Sequence, residues 1–269
     1  MPTPTPGSVI LPRQTAWLGT QPISYLERDG TDPPILLLHG WGSNAAGFTG
    51  LLRLAVTPRR LVALDLPGFG DSPLGDAGWT SASYAELVRE LIQSRHWDNV
   101  SVLGHSYGGR LALRLGGEPQ SPVDRLVLCA PSGIHMPNSG GPGGRVRLFR
   151  ALRRSAETLL PTGLAEPAVE WLRQRMGSAD YRTAGPLRPI LVRAVQEDLS
   201  DLARRVKLQT LIIWGRRDTE QPLDPFGRRL RQLISTSELV EFPDSGHFPF
   251  VDEPVRFAAV FDSFMDARL

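Results

Sequence analysis

A single serine lies between two glycines in the stretch GHSYGG at 104–109, where an apolar run ends and an amphipathic helical pattern begins. The spacing Gly104-x-Ser106-x-Gly108 is typical of a nucleophile in a sharp turn from a strand to a helix, with its hydroxyl exposed. Glycines are expected there because side chains two residues away from the serine would collide with its backbone. The stretch therefore predicts that Ser106 is a nucleophile, provided that a base and an oxyanion site accompany it.

A serine hydroxyl is a poor nucleophile until a base takes its proton. The candidates are the histidines His39, His96, His105, His135 and His247. We predict His247, in FPDSGHFPFVDEP, because its loop follows the last predicted strand and reaches the sheet edge where Ser106 is expected. His39 is interpreted as support for the loop after its strand, and His96 as a solvated helix-end residue. His105 is expected to point away from Ser106.

The base in turn needs a carboxylate that fixes its tautomer and stabilises the imidazolium. Asp218 closes LIIWGRRD just after a predicted strand, although an Asp there is also typical of a turn or a helix N-cap. Asp244 is the rival, three residues before His247, and it is better placed to shape that loop. We predict Asp218 as the acid.

An oxyanion needs two backbone donors. We predict the N–H of Tyr107, directly after the serine, and the N–H of Trp41 in HGWGSN at 39–44. Gly40 and Gly42 allow the backbone of that loop to approach a substrate closely. The alternative is that HGWG is only a glycine-rich loop after a strand.

The hydrophobic pattern predicts the strands and helices that position these residues. Continuous apolar runs typical of buried parallel strands lie at 34–40, 60–68, 99–105, 124–133, 208–218 and 237–247. Helical patterns lie between them at 81–96, 106–116, 224–234 and 253–266. This alternation predicts an α/β fold, a mostly parallel sheet with helices on both faces. The alternating residues before position 31 predict an antiparallel hairpin at the sheet edge.

One region breaks the alternation. From about 134 to 206 there is no convincing strand, and amphipathic helical patterns follow a glycine-rich stretch. We predict a helical insertion at 134–206 in a core formed by 1–133 and 207–269. The arginines at 145, 147, 150, 153 and 154 are interpreted as its solvated face.

The composition of the chain excludes several classes of function. The 269 residues carry a formal net charge of +2, which argues against a nucleic-acid partner, and the single cysteine, Cys129, allows no disulfide within the chain. The apolar runs are too short for membrane insertion, and the N-terminal residues lack the pattern of a secretory signal. We therefore expect a cytoplasmic protein. Its oligomeric state is left open.

The chain resembles the α/β-hydrolase fold superfamily, because HGWG, DLPGFGDS at 65–72, GHSYGG, WGRRD at 214–218 and SGH at 245–247 occur in that family's order. The resemblance implies that the insertion is a cap over the active site, and that Asp65, Gly68 and Gly70 have structural roles. The serine at position 106 argues against membership of the groups in this superfamily that use an aspartate nucleophile.

The leading hypothesis is an esterase that cleaves small to medium apolar acyl groups through an acyl-enzyme, with no cofactor or metal and a small-molecule, ester-like substrate as partner. The candidate pocket residues are Phe149, Leu152, Trp171, Arg188 and Phe248. Hydrolysis of a carbon–carbon bond from aromatic ring cleavage is an alternative, with Arg188 holding a carboxylate. A third possibility is a ligand-binding member of the fold with little catalysis.

Overall fold

A computed structural model describes residues 11–76, 78–136 and 183–267, together with positions 158, 161 and 167. Eight strands form one sheet in the order β1-β2-β4-β3-β5-β6-β7-β8. Their bounds are β1 Arg13–Leu18, β2 Gln21–Arg28, β3 Thr31–Leu38, β4 Arg59–Leu64, β5 Val100–His105, β6 Val123–Cys129, β7 Gln209–Gly215 and β8 Ser237–Phe242. The α/β fold predicted from the sequence is confirmed.

Pairing within the sheet is antiparallel at one edge and parallel elsewhere. The hairpin of β1 and β2 pairs antiparallel and joins β4, also antiparallel, whereas each pair from β4 and β3 through β8 is parallel. The carboxyl ends of β3 and β5 to β8 therefore meet at one edge, which is where such sheets carry their functional loops. This confirms both the edge hairpin and the parallel strands.

Both faces of the sheet are buried. Along β3, Leu36 and Leu38 pack into one apolar cluster, and Ile35 and Leu37 pack into another on the opposite face. Alternate residues of a strand point to opposite faces, so a run such as ILLL is the pattern of a strand covered on both sides.

Helices cover the two faces. Their bounds are α1 Thr49–Leu54, α2 Ser81–Ser94, α3 Tyr107–Gly117, α4 Arg188–Gln196, α5 Ser200–Arg205, α6 Arg228–Leu233, α7 Pro249–Asp252 and α8 Pro254–Asp266. Buried residues of α2 and α3 join the cluster of Leu36, and those of α1 and α8 join the cluster of Ile35. In the described ranges, no helix is both long and apolar enough to cross a membrane.

The described end of the predicted insertion, 183–206, is helical. Residues 187–206 contain two helices, α4 and α5, because the chain leaves the helical conformation at Glu197. Leu187, just before α4, lies over the DLPGFGDS loop, since a Cβ placed on Gly68 would be 2.6 Å from its Cδ2. The domain boundaries at 133/134 and 206/207 stay a prediction.

Candidate active site

Ser106 forms the turn between β5 and α3 with φ 49° and ψ −109°, a left-handed conformation that is rare for a residue with a side chain. Its N–H donates to the carbonyl of Cys129 at 3.0 Å, and its carbonyl accepts the N–H of Ser132 at 3.0 Å. These bonds tie the turn to the end of β6 and to the segment that follows it. They help to hold a backbone conformation that would otherwise relax.

The glycines around Ser106 are required by close contacts, although the contacts differ from those expected. A Cβ on Gly104 would lie 2.4 Å from the carbonyl oxygen of Gly108, and a Cβ on Gly108 would lie 2.0 Å from that of Leu38. The nearest groups are thus the backbones of Gly108 and Leu38. Glycine at 108 lets the first turn of α3 press against the end of β3.

His247 and Asp218 are joined directly. Nδ1 of His247 lies 2.7 Å from Oδ2 of Asp218, whose side chain is fully buried just after β7. The other carboxylate oxygen accepts the N–H groups of Glu220 at 2.9 Å and Gln221 at 2.8 Å. Because a carboxylate only accepts, Nδ1 of His247 carries the proton and Nε2 is left as the acceptor.

The rival carboxylate lies elsewhere. Asp244 forms an exposed ion pair with Arg217, and its N–H donates to Glu253 at 3.3 Å. Its side chain is 68% exposed, so it shapes the surface loop. Of Asp218 and Asp244, the structure brings only Asp218 to His247.

The imidazole of His247 contacts the residue next to Ser106. The ring of His105, the immediate neighbour of Ser106, lies 4.8 Å from the ring of His247. Among the described residues, Oγ of Ser106 forms no hydrogen bond to Nε2 of His247. Nε2 instead has Oε2 of Glu220 at 3.9 Å. Bonds of this kind often close only when substrate binds.

The HGWG loop lies against the serine turn. A Cβ on Gly40 would be 3.2 Å from Cβ of Ser106, and the ring of Trp41 packs edge-on against that of Tyr107 with centroids 5.3 Å apart. Within the described ranges, the N–H groups of Trp41 and Tyr107 donate to no protein acceptor. Both predicted oxyanion donors are therefore unpaired in these ranges.

Known proteins resemble this chain over most of its length. The sequence profile described as "Alpha/beta hydrolase family" matches residues 35–260. The chain belongs to the alpha/beta hydrolase family. This hydrolase is 29% identical over 256 residues to a pimeloyl-[acyl-carrier protein] methyl ester esterase of Nitrosomonas europaea, covering 89% of this chain and 98% of that one.

Two solved structures share the fold. The esterase EaEST from Exiguobacterium antarcticum superposes with a TM-score of 0.70 at 25% identity, covering 92% of this hydrolase and 96% of that chain. The meta-cleavage product hydrolase CumD from Pseudomonas fluorescens IP01 has a TM-score of 0.69 at 21% identity, with coverages of 94% and 97%. At that identity, the likeness to CumD shows the fold alone.

Two buried residues hold the HGWG loop of the hydrolase. His39 places Nδ1 2.7 Å from the carbonyl of Gly40 and accepts the N–H of Leu66 on Nε2 at 3.0 Å. Burial lowers the pKa of His39 to about 4, so the ring is neutral. Asp65 accepts the N–H groups of Ala45 at 2.7 Å and Asp71 at 2.9 Å. Both side chains have the structural roles expected from the sequence.

A half-buried ionic cluster joins α3 to the segment between α4 and α5, and the sequence pattern does not predict it. Arg110, which is 4% exposed, places Nη1 3.0 Å from Oε2 of Glu197, and Arg114 pairs with the same carboxylate. Burial acts to raise the pKa of Glu197, but bonds from Ser81 and Arg114 outweigh it, so that pKa is lowered. The break between α4 and α5 brings Glu197 to this cluster, and a carboxylate inside a helical pattern gave no signal of it.

The structure describes two of the five candidate pocket residues, Phe248 and Arg188. Phe248 is 38% exposed and packs edge-on against His247, with ring centroids 5.2 Å apart, so it lies beside the predicted base. Arg188 is half-buried at the start of α4. The predicted pocket residues Phe149, Leu152 and Trp171 lie outside the described residues.

Proposed function

We propose that this hydrolase cleaves carboxylic esters of small to medium apolar acyl groups through an acyl-enzyme. The observation that carries the proposal is the 2.7 Å bond between Nδ1 of His247 and the buried carboxylate of Asp218. That bond leaves Nε2 free to accept a proton, at the edge of the sheet where Ser106 lies half-buried in its strained turn. The esterase relative from Nitrosomonas europaea supports the same reaction class.

The reaction proceeds in two halves. Nε2 of His247 takes the Oγ proton of Ser106 while Oγ bonds to the ester carbonyl, and the same proton passes to the departing alkoxide as the ester C–O bond breaks. A water then gives its proton to Nε2 and attacks the acyl-enzyme. The proton returns to Ser106 as the carboxylic acid leaves.

Charge develops on the carbonyl oxygen in both halves. The N–H groups of Trp41 and Tyr107 are our candidates to hold it, because Tyr107 directly follows Ser106, the ring of Trp41 packs against that of Tyr107, and neither N–H donates to a protein acceptor in the described ranges. His39 keeps the first of these donors in place through the carbonyl of Gly40.

We also propose that residues 134–206 form a cap over this site. The support is the position of Leu187 against the DLPGFGDS loop and the bond from the N–H of Leu199 to the carbonyl of Gly133 at 2.8 Å. Apolar contact with the acyl chain would then come from the cap and from Phe248.

A panel of nitrophenyl esters from acetate to palmitate tests the reaction. We expect turnover with a maximum at short to medium chains, and a loss of roughly 10⁴-fold or more in kcat for Ser106→Ala. Near-normal rates in that variant would end the proposal.

Cleavage of a ring-cleavage dienoate without ester turnover would favour carbon–carbon bond hydrolysis. Failure of a fluorophosphonate probe to label Ser106 would favour a ligand-binding role.

A further inference from the structure

His105 connects the parts of the proposed site. It is the last residue of β5 and is 1% exposed, and its Nε2 lies 2.9 Å from the backbone carbonyl of His247. Because a carbonyl only accepts, Nε2 of His105 carries the proton and Nδ1 is unprotonated. The bond therefore joins the residue next to Ser106 to the backbone of the predicted base, 142 positions away.

The unprotonated edge of the ring faces the HGWG loop. A Cβ on Gly40 would lie 2.8 Å from Nδ1 of His105 and 3.2 Å from its Cε1, so the ring rests against the glycine backbone. On its other sides the ring packs against Phe248 and Phe250, with centroids 4.9 Å and 5.0 Å away. One imidazole thus contacts both loops that flank Ser106.

Neutrality of this ring matters for its neighbour. Burial, and next the proximity of His247, lower the pKa of His105 to about 3. A charged ring 4.8 Å from His247 would oppose the imidazolium that forms during acyl transfer. A neutral one supplies a hydrogen bond without that penalty.

We propose that His105 is a positioning residue, whose Nε2–H bond to the carbonyl of His247 holds the imidazole of His247 in line with Oγ of Ser106. The inference rests on the proposed serine hydrolase chemistry. A histidine that only filled space in the core would need its ring volume but not its donor. The donor is therefore what the experiment must isolate.

His105→Gln and His105→Met form a matched pair, since the side chains have similar length and only Gln can donate at the Nε2 position. We expect His105→Met to lower kcat roughly 10- to 100-fold with KM nearly unchanged, because a small misplacement of the base costs rate rather than binding. His105→Gln should recover most of that loss. Equal kcat in both variants, whether normal or impaired, would overturn the proposal.

The rate at which a fluorophosphonate labels Ser106 gives a second readout that does not depend on substrate identity. Labelling should slow in His105→Met and recover in His105→Gln. If wild-type protein labels rapidly but cleaves no ester, the proposed ester specificity fails while this inference is still tested by the two variants. Equal labelling rates in wild-type protein and His105→Met would refute it.

Imidazole nitrogen NMR of the wild-type protein covers the case in which His105→Met does not fold. We expect the His105 signal of an Nε2-protonated, neutral ring that does not titrate between pH 5 and 8, with a slowly exchanging proton. An Nδ1-protonated or titrating ring would contradict the proposed bond.

Discussion

Nδ1 of His247 lies 2.7 Å from Oδ2 of Asp218, although the two residues are 29 positions apart in the chain. The second oxygen of that carboxylate is already engaged by the N–H groups of Glu220 and Gln221. These two bonds fix which oxygen faces the imidazole. Because the orientation of the Asp218 carboxylate is fixed, the effect of a substitution at this position can be predicted.

Asp218→Asn should abolish most activity without unfolding the protein. The amide oxygen of Asn would keep the two backbone N–H bonds, so its NH₂ group would face Nδ1 of His247 and select the wrong tautomer. We expect kcat to fall roughly 10³- to 10⁴-fold. Steady-state ester hydrolysis measures the loss, and Asp244→Asn is the matched control, with near-normal activity. Similar losses in both variants would contradict the assignment.

The strain at Ser106 predicts that two inactive variants of this residue differ in stability. Glycine adopts positive φ readily, whereas alanine keeps the strain of φ 49°. We expect Ser106→Gly to exceed Ser106→Ala in free energy of unfolding by about 1 kcal/mol, after the larger chain entropy of unfolded glycine is subtracted. Both variants should be inactive. Urea unfolding measures the difference, and a less stable Ser106→Gly would show that the turn is not strained.

Two buried neutral histidines make the stability of the fold depend on pH. Burial is the main cause that lowers the pKa of His39 to about 4 and that of His105 to about 3, from 6.5. Below pH 6.5 the unfolded chain binds these protons and the folded one does not, so the free energy of unfolding falls as the pH drops toward the folded values. From pH 7 to pH 5 we expect a loss of roughly 2 kcal/mol for each histidine.

Urea unfolding at pH 7, 6 and 5 measures this loss. Carboxylates with lowered pKa values, such as Glu197, lose their contribution mainly below the usual carboxylate pKa and so add little in this range. His105→Gln should lose about half as much stability as the wild-type protein over the same interval. A wild-type profile that is flat between pH 7 and 5 would contradict the neutral state of both rings.

The sequence predicted most of the fold because its cues are local. Apolar runs that end in glycine or proline define β3 and β5 to β8, and parallel strands bring their carboxyl ends to one edge. That rule places Asp218 and His247 at the edge where Ser106 lies, since each follows a strand. It does not by itself choose them over Asp244 and His39, which also follow strands.

What the sequence could not predict depends on contacts between distant side chains. Glu197 lies in a helical pattern, yet the helix breaks there and its carboxylate meets Arg110, 87 positions earlier. His105 has the character of a core residue, and nothing local indicates that its donor reaches the carbonyl of His247. Hydrophobic periodicity assigns a residue to a face, but not to a partner on that face.

Glu220 predicts selectivity for substrate charge. Its carboxylate is 63% exposed and lies 3.9 Å from Nε2 of His247, so it places a negative charge beside the nitrogen of the proposed base. Solvent weakens the interaction to about 1 kcal/mol at this range, which is several-fold in kcat/KM. We expect Glu220→Gln to raise kcat/KM about three- to five-fold for esters with a carboxylate near the scissile bond, relative to neutral esters of equal length.

The control for Glu220→Gln is Glu238→Gln, which removes the same charge from an exposed position near the start of β8, the strand end away from the site. It should leave the ratio of kcat/KM values for anionic and neutral esters unchanged. Raising the salt concentration should shrink the effect of Glu220→Gln, because exposed charges are screened. If both variants change the ratio equally, selectivity comes from net charge, and the carboxylate beside His247 has no special part in it.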